Sequence, residues 1–498
     1  MGEKFILAID QGTSATKAVL FNISGKLVCR CDIVHRQFYP KPGWVEHDPE
    51  EIYANTLRAV HDVLHKSGVV QNAIASIAIS NQRETAVVWD KDTGKPVYNA
   101  VTWQCQRGDE ICRRLEDRNM GQLIRERTGL ILSPYFSASK ISWILDHVQG
   151  ARTRAKYGKL LCGNIDAWLI WKLSGGKIHA TDYSNASRTQ LFDINKLKWD
   201  EELLEAFNIP DCMLPEVKPS NGFFGYTDKN EGFEREIPIS GVMGDSHAAL
   251  FGQNCVEKGM TKATYGTGSS IMMNIGAKPV FSLSGIVTSI AWGIDDTVNY
   301  VLEGNINCTG DTIRWLAEDL ELIADSREAG KLASSVSGNG GVYLVPAFAG
   351  LSAPYWDSGA RAIITGMARD TKKAHIVRAA EESIAYQIKD IIELMTAESG
   401  VDLKELRVDG GPTRDDFLMQ FQADILGIPV VRNRIEELSA LGSAYMAGLR
   451  MGIWSSIEEI KALRDTDRAF LCRMEHSERS ALYKGWKDAV KRALSGVV

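Results

Sequence analysis

An aspartate that ends an apolar strand, followed at once by glycine and two hydroxyls, can hold phosphate without a lysine-tipped loop. Asp10-Gln11-Gly12-Thr13-Ser14 is such a segment. The turn exposes backbone N–H groups, Thr13 and Ser14 add hydroxyl donors, and Lys17 follows; backbone concavities of this kind bind anions. Asp10 suits a magnesium ion held through water, since that ion gives up its hydration shell reluctantly. A plain hairpin turn accounts for the same residues about as well. A second turn, Thr264-Tyr265-Gly266-Thr267-Gly268-Ser269, repeats the glycine–threonine device, and Asp245 stands at another strand end ahead of it. Two such turns suggest phosphate gripped from both sides of a cleft. Asp409-Gly410-Gly411 adds backbone that a flat ring can approach, because glycine has no Cβ. Neither Gly-x-x-x-x-Gly-Lys-Ser/Thr nor the protein-kinase motif set occurs.

Phosphoryl transfer to an alcohol also needs a base and an in-line hydroxyl. Asp245, in Val242-Met243-Gly244-Asp245 just ahead of Ala248 and Ala249, is the candidate base. Helix capping is the competing role for an aspartate so placed. Arg83-Glu84 closes an apolar run, and a donor beside an acceptor suits adjacent hydroxyls. A surface ion pair of little energetic worth is the alternative. Trp103 and Tyr135 could wall a carbon chain, although with twelve tryptophans in the chain most are core.

The elements that must position these residues read as mixed α/β. Lys4 to Asp10, Lys17 to Asn22 and Lys26 to Ile33 form an antiparallel meander of short strands. Asp48 suits an N-cap, Pro49 the first helical position and Glu51 the reciprocal capping-box site, with Ile52, Leu57, Val60 and Leu64 on one face and Gly68 as the stop. Ala73 to Ser80 is a strand running into Asn81-Gln82-Arg83-Glu84. Ile237 to Val242, then Met260 to Tyr265 and Ser270 to Ile275 about the second turn, read as a partial echo of the first block, hence a duplicated fold unit. Leu406 to Val408 is a strand, and Asp415 to Leu426 a helix. At 498 residues two domains are expected, 1–250 and 251–498, sharing a packed cleft because no Pro- or Ser-rich linker separates them.

Composition narrows the partners. A net charge of −6 argues against nucleic acid, and no apolar run is long enough for a membrane span. Nine cysteines lack metal-ligand spacing, Cys29 and Cys31 alternate along one strand, and Met1-Gly2-Glu3-Lys4 leads straight into a strand; a reducing cytoplasm is expected.

The three glycine elements together resemble the ATP-binding signature of the actin, hexokinase and sugar-kinase superfamily. More specifically, Asp10-Gln11-Gly12-Thr13, the run from Pro40 to Pro49, Asn81-Gln82-Arg83-Glu84-Thr85, the run from Asp182 to Thr189, Tyr265-Gly266-Thr267-Gly268 and Pro346-Ala347-Phe348-Ala349-Gly350-Leu351 resemble the glycerol kinase branch of the FGGY carbohydrate kinases, in register to about residue 450. The resemblance implies duplicated actin-like, ribonuclease-H-like ATPase domains around a central cleft. It implies transfer of the γ-phosphoryl of ATP to a primary hydroxyl of glycerol, giving glycerol 3-phosphate. On that likeness Arg83, Glu84, Tyr135 and Asp245 contact the polyol beside Trp103, with Asp245 as base. Thr13, Ser14, Ala15, Lys17 and Thr267 meet the triphosphate; Gly310, Arg314, Gly411 and Asp415 line the nucleotide pocket; Asp10 and Asp245 bracket Mg2+. Relatives commonly form dimers or tetramers, so a homodimer or homotetramer is implied.

The chain also departs from the family. Gly244-Asp245-Ser246-His247 stands where Gly-Asp-Gln-Gln is usual, and Ser246 is shorter than the residue that reaches a glycerol hydroxyl. Ser270 replaces a bulky aromatic or apolar residue that closes the pocket, and Asn305 and Asn307 replace small or apolar ones. These changes imply a roomier, more hydrophilic pocket, able to take a four- or five-carbon polyol or ketose instead. An amide is usual at Arg314 and at Asp415. Residues Asp228 to Glu236 lack the glycine-rich, arginine-containing loop tied to sugar-bisphosphate inhibition, so no such regulation is expected. An actin- or chaperone-like ATPase is a further alternative, against which Arg83-Glu84 and Asp245 stand.

Overall fold

The structure, a computed structural model, describes residues 3–463 and 466–496. The expected meander is present as Phe5–Gln11, Ala15–Asn22 and Leu27–Val34, paired antiparallel in sequence order. Phe5–Gln11 is buried along its whole length. That is the pattern of a central strand covered on both faces, which explains its unbroken apolar run. Ile74–Asn81 lies parallel to it, Pro238–Gly244 lies parallel to that strand in turn, and Phe223–Tyr226 closes the far edge of a six-stranded sheet. The helix Pro49–Ser67 starts at Asp48, whose side chain accepts from the Glu50 N–H, and stops at Gly68 in the left-handed conformation. The reciprocal half of the expected capping box is not made. Glu51 instead accepts from the backbone N–H and Nε of Arg36, because a guanidinium on the neighbouring segment outcompetes the N-cap amide.

The second sheet has seven strands and repeats the scheme. Thr261–Tyr265 and Ser269–Gly276 form the hairpin, Thr297–Ile306 and Val287–Ile294 extend it antiparallel, and Leu406–Asp409 and Val430–Asn433 add parallel strands on the other side. The strand that ends in Gly244-Asp245 was expected to open this second unit; it belongs to the first sheet. Its parallel partner is Ile74–Asn81, so its counterpart in the second sheet is a late parallel strand and not a lead-in to the hairpin. The 27-residue helix Lys373–Ser399 packs beneath this sheet with its middle almost wholly buried.

The two sheets are joined by two helices, Asp245–Gly252 and Leu438–Arg450, in one apolar cluster. It gathers Ile6, Ala8 and Ala78 of the first sheet, Met272 and Val301 of the second, and Leu441 and Ala444 of the later helix. The helices approach until backbone meets backbone. A Cβ on Gly442 would run into the Ala248 carbonyl oxygen, and one on Gly252 into that of Leu438. Only glycine fits at this crossing. Gly442→Ala is expected to destabilise the protein by about 3 kcal/mol, the upper range of overpacking. Gly338→Ala, at a position with open space for a Cβ, should change stability little. Urea unfolding of both variants tests this.

Candidate functional site

Three parallel strands end side by side, because Gln11 pairs with Asn81 and Asn81 with Gly244. Residues just beyond such carboxyl ends face a crevice, the usual ligand position in α/β sheets. The run from Asp182 to Thr189 braces these ends. Asn185 and Asn81 exchange amide hydrogen bonds of 2.9 and 3.0 Å, and the Gly244 N–H donates to Ser184 Oγ at 2.9 Å.

The first turn is closed by the Gly12 N–H donating to the Ala15 carbonyl at 2.9 Å. His35 holds it from behind, with its N–H on the Ser14 carbonyl and Nε2 2.7 Å from the Thr13 carbonyl. Trp103 Nε1 donates to Thr13 Oγ1 at 3.0 Å, and its ring meets Tyr135 edge-on with centroids 5.7 Å apart. Two of the expected polyol-wall residues are thus tied to the expected phosphate turn. Asp10 accepts from Ser80 Oγ at 2.6 Å and lies 3.5 Å from Lys17 Nζ. Burial pushes its carboxyl above the usual range despite that ammonium. Lys17 itself donates to Glu437 at 2.8 Å, so its charge is anchored before any phosphate arrives.

Arg83 and Glu84 are no surface pair. Both are buried, and their own closest approach is 4.0 Å. Each takes another partner. Arg83 makes a two-pronged bond with Glu303 of the second sheet, both contacts 2.8 Å; Arg188 lies 2.9 Å from the same carboxylate and donates to Glu84 at 2.5 Å. Arg83 Nε then sits 3.2 Å from Asp245 Oδ1. Burial works to raise the Glu303 carboxyl, but the guanidiniums of Arg188 and Arg83 outweigh it and hold it far below its ordinary value. Glu84 has a positive φ of 61°, uncommon for a residue with a Cβ. Ser137 Oγ and Lys140 Nζ pin its carbonyl at 3.3 and 3.1 Å. Burial pushes the Lys140 ammonium down to about 7.

Asp245 opens its helix, and its Oδ1 accepts the Ser246 N–H at 2.6 Å. The side chain is 34% exposed to the cleft. Surrounding protein still raises its carboxyl, Arg83 opposes the shift and Asp10 adds to it. Among the described residues no cluster of three or more metal-ligating side chains occurs. Asp10 and Asp245 repel each other, and a cation that keeps most of its water suits such a pair.

Across the cleft the Gly266 N–H closes the second turn on the Gly268 carbonyl at 2.8 Å. The N–H groups of Thr309, Gly310 and Asp311 donate to the carbonyls of Gly266 and Thr267, fastening the turn to the helix Gly310–Glu318. Beside it opens a cavity of about 500 Å³ whose lining includes Thr267, Gly310, Arg314, Gly411 and Asp415, five positions expected at the nucleotide. Gly410, with φ 96°, lies against Tyr265 so closely that a Cβ would strike its carbonyl oxygen, while Gly411 faces open space. The Asp415 carboxylate caps the helix Asp416–Leu426 through the N–H groups of Phe417 and Leu418. The Arg314 guanidinium is engaged by Asp311. A wider recess of about 990 Å³, beside Asp109 and Arg125, contains none of these residues; the chemistry, not the size of the opening, locates the site.

The chain matches the model of the FGGY family of carbohydrate kinases, N-terminal domain, over residues 5–252, and that of the C-terminal domain over residues 261–451. The chain belongs to the FGGY carbohydrate kinases. It is 53% identical over 491 residues to a glycerol kinase of Caldanaerobacter subterraneus subsp. tengcongensis, covering 99% of both chains. It is 54% identical over 492 residues to glycerol kinase 1 of Thermotoga maritima, covering 99% of this chain and 100% of that one. Plasmodium falciparum glycerol kinase with ADP superposes with a TM-score of 0.95 at 37% identity, covering 99% of each chain. A xylulose kinase of Lactobacillus acidophilus, at TM-score 0.88 and 23% identity over 99% of each chain, shares the fold. The expected architecture of two actin-like α/β lobes about a cleft is the one this FGGY kinase has.

Where this FGGY kinase departs from its family, the side chains separate. His247 is fully buried with Nε2 2.9 Å from Ser289 Oγ, and burial together with Arg83 keeps it neutral. Ser246 and Ser270 are half-buried, and Asn305 and Asn307 are exposed. Sequence reasoning passed over Glu303, Arg188, Lys140 and Lys262. Arg188 lay within a string already singled out; Glu303 and Lys140 are engaged by Arg83 and Glu84, distant in the chain, and Lys262 by its near neighbour Thr264. Lys262 is 1% exposed and donates to Thr264 Oγ1 at 2.9 Å, with Asp409 and Asp245 among the charges it feels.

Replacing Glu303 by glutamine keeps its shape and leaves two buried guanidiniums short of a counter-charge. Glu303→Gln is expected to cost about 3 kcal/mol of stability, the low end for breaking a buried pair. Chemical denaturation checks it, with the exposed Glu458→Gln as control.

Proposed function

We propose that this FGGY kinase transfers the γ-phosphoryl of ATP to a primary hydroxyl of glycerol, releasing ADP and glycerol 3-phosphate. The observation that carries the reading is Asp245, a cleft carboxylate beside Arg83 and Asp10, between the two turns suited to phosphate. The full-length likeness to glycerol kinases supplies the acceptor.

Adenosine lies in the 500 Å³ cavity against Gly411, with Gly310, Arg314 and Asp415 around it. The triphosphate runs between Thr267 and the turn Thr13-Ser14-Ala15, and Lys17 adds a fixed positive charge. Arg83 and Glu84 donate to and accept from neighbouring glycerol hydroxyls, and Trp103 and Tyr135 cover the carbons. Asp245 takes the proton as the hydroxyl oxygen bonds to phosphorus and the bond to the ADP oxygen breaks. Asp10 and Asp245 would hold Mg2+, which when bound spreads the negative charge of the phosphates. Lys262, buried and hydrogen-bonded to Thr264 Oγ1, adds positive potential on the second lobe's side.

The raised carboxyl of Asp245 bears on this role, since a base works best with a pKa near the operating pH. The residues taken as the two domains, 1–250 and 251–498, then divide the work, with the acceptor and first phosphate turn on one and the nucleotide on the other. Among the described residues no cysteine is paired in a disulfide, which supports a reducing, cytoplasmic setting. Among the described residues no helix is long and apolar enough to cross a membrane. A homodimer or homotetramer rests on family likeness alone, and sedimentation of the purified protein measures it.

Glycerol is expected to stimulate ADP release. Asp245→Asn should lower kcat by about 10²–10⁴, the usual worth of a positioned base, while ATP binding followed by calorimetry persists. Near-normal turnover in that variant would remove Asp245 as base. Activity requires the ionised carboxylate, so it should rise with pH through the Asp245 titration. Because the folded value is raised, the acid limb of kcat/KM should lie above the ordinary aspartate value of about 3.9. Chelation of divalent cations should abolish turnover, and added magnesium should restore it.

A further inference from the structure

Backbone and a hydroxyl suited to phosphate line the 500 Å³ cavity at Gly266 and Thr267, and apolar side chains suited to a flat ring line it at Ile313, Ile384 and Leu418. Glu381 lines the same cavity. It sits on the helix Lys373–Ser399 three residues before Ile384, so the two share a helix face. A carboxyl among the apolar residues that would hold a base is out of place unless it meets the base itself, since such sites keep a few polar groups to fix a ligand's orientation.

Glu381 is 2% exposed, and its Oε2 is buried with no hydrogen-bond partner among the described residues. The guanidiniums of Arg314, Arg327 and Arg414 also line the cavity, but Asp311, Asp325 and Glu436 engage them in turn. The charge that Glu381 does meet is the Asp415 carboxylate, which repels. An ionised carboxylate so enclosed costs more than one that keeps its proton, and burial together with Asp415 holds this carboxyl well above its ordinary value. Glu381 is therefore a neutral acid, with one O–H to donate and one carbonyl oxygen to accept. An enclosed site that keeps a carboxyl neutral thereby gains a hydrogen-bond donor.

Adenine offers the complement of that pair. Its amino group donates, and the ring nitrogens on either side of it, N1 and N7, accept. We propose that the Glu381 carboxyl reads the amino-bearing edge of adenine, its O–H donating to a ring nitrogen and its carbonyl oxygen accepting from the amino group. This rests on the kinase reading above and gives its nucleotide site a residue that selects the base.

The test is glycerol 3-phosphate formation with ATP, 1-deaza-ATP, 7-deaza-ATP and purine riboside triphosphate, which lacks the amino group. Against ATP, the wild type should lose about tenfold or more in kcat/KM with the purine riboside triphosphate and with at least one deaza nucleotide, the loss falling on KM. Glu381→Leu should abolish that discrimination, and Glu381→Gln, which keeps a donor beside an acceptor, should retain it. Leucine replaces an unpaired buried carboxyl by an apolar group, so urea unfolding should show Glu381→Leu at least as stable as the wild type. A wild type indifferent to the amino group or to both ring nitrogens overturns the inference, whatever the variants do; response to the amino group alone is what an ionised carboxylate would give. Discrimination that survives in Glu381→Leu overturns it as well, and each of these results leaves the kinase intact. No product from ATP and glycerol in the wild type overturns the kinase reading and this inference with it.

Discussion

Glu303 is a carboxylate with no solvent, gripped by two guanidiniums from the opposite lobe. Charges removed from water are tolerated only when each finds a counter-charge at close range. The chain Asp245–Arg83–Glu303–Arg188–Glu84 meets that condition only while both lobes are in place. It fixes the Arg83 guanidinium beside Asp245, sets the potential felt by that carboxylate, and couples the first sheet's strand ends to the second sheet. The glycine crossing of the two joining helices lies on the same seam, so the lobes are held both by charge and by apolar contact.

Around this charged centre the scaffold uses titratable groups that carry no charge. His35 and His47 stack edge-on behind the first turn at 4.7 Å, and burial pushes His47 down to about 3. Burial and the nearby Asp415 hold the Glu381 carboxyl well above its ordinary value in the wall of the 500 Å³ cavity. Neutral polar groups can brace backbone without competing for phosphate or for its counter-ions. Such an arrangement leaves the strong fields to the charged groups around Arg83, Glu303 and Asp245.

Much of this was legible in order of residues, because it is written locally. The meander, the helix start at Asp48 and stop at Gly68, and both glycine–threonine turns follow from short-range rules that the tertiary fold leaves intact. The capping box failed at Glu51 because Arg36, on another segment, offered a better partner. The strand before Asp245 was placed in the wrong unit because a hairpin looks alike whichever strand precedes it. Arg83-Glu84 was noticed for its adjacency, yet adjacency hid its physics. The partners that matter are 220 and 104 residues away, and nothing in the spacing of a single sequence points to them. Asp415 illustrates the converse: a cavity-lining position expected to meet the nucleotide, whose carboxylate is spent on a helix end.

The helix Leu438–Arg450 packs against Ile6, Ala8 and Ala78 although it follows nearly the whole second lobe in the chain. On the ribosome, then, the first lobe has one bare apolar face while almost all of the remaining polypeptide is made, and it acquires its cover only near the end of synthesis. Domains usually fold as they emerge; here the earlier one stays unfinished and adhesive until the later one is nearly complete. A fragment of residues 1–250 would lack the apolar cover that this late helix supplies.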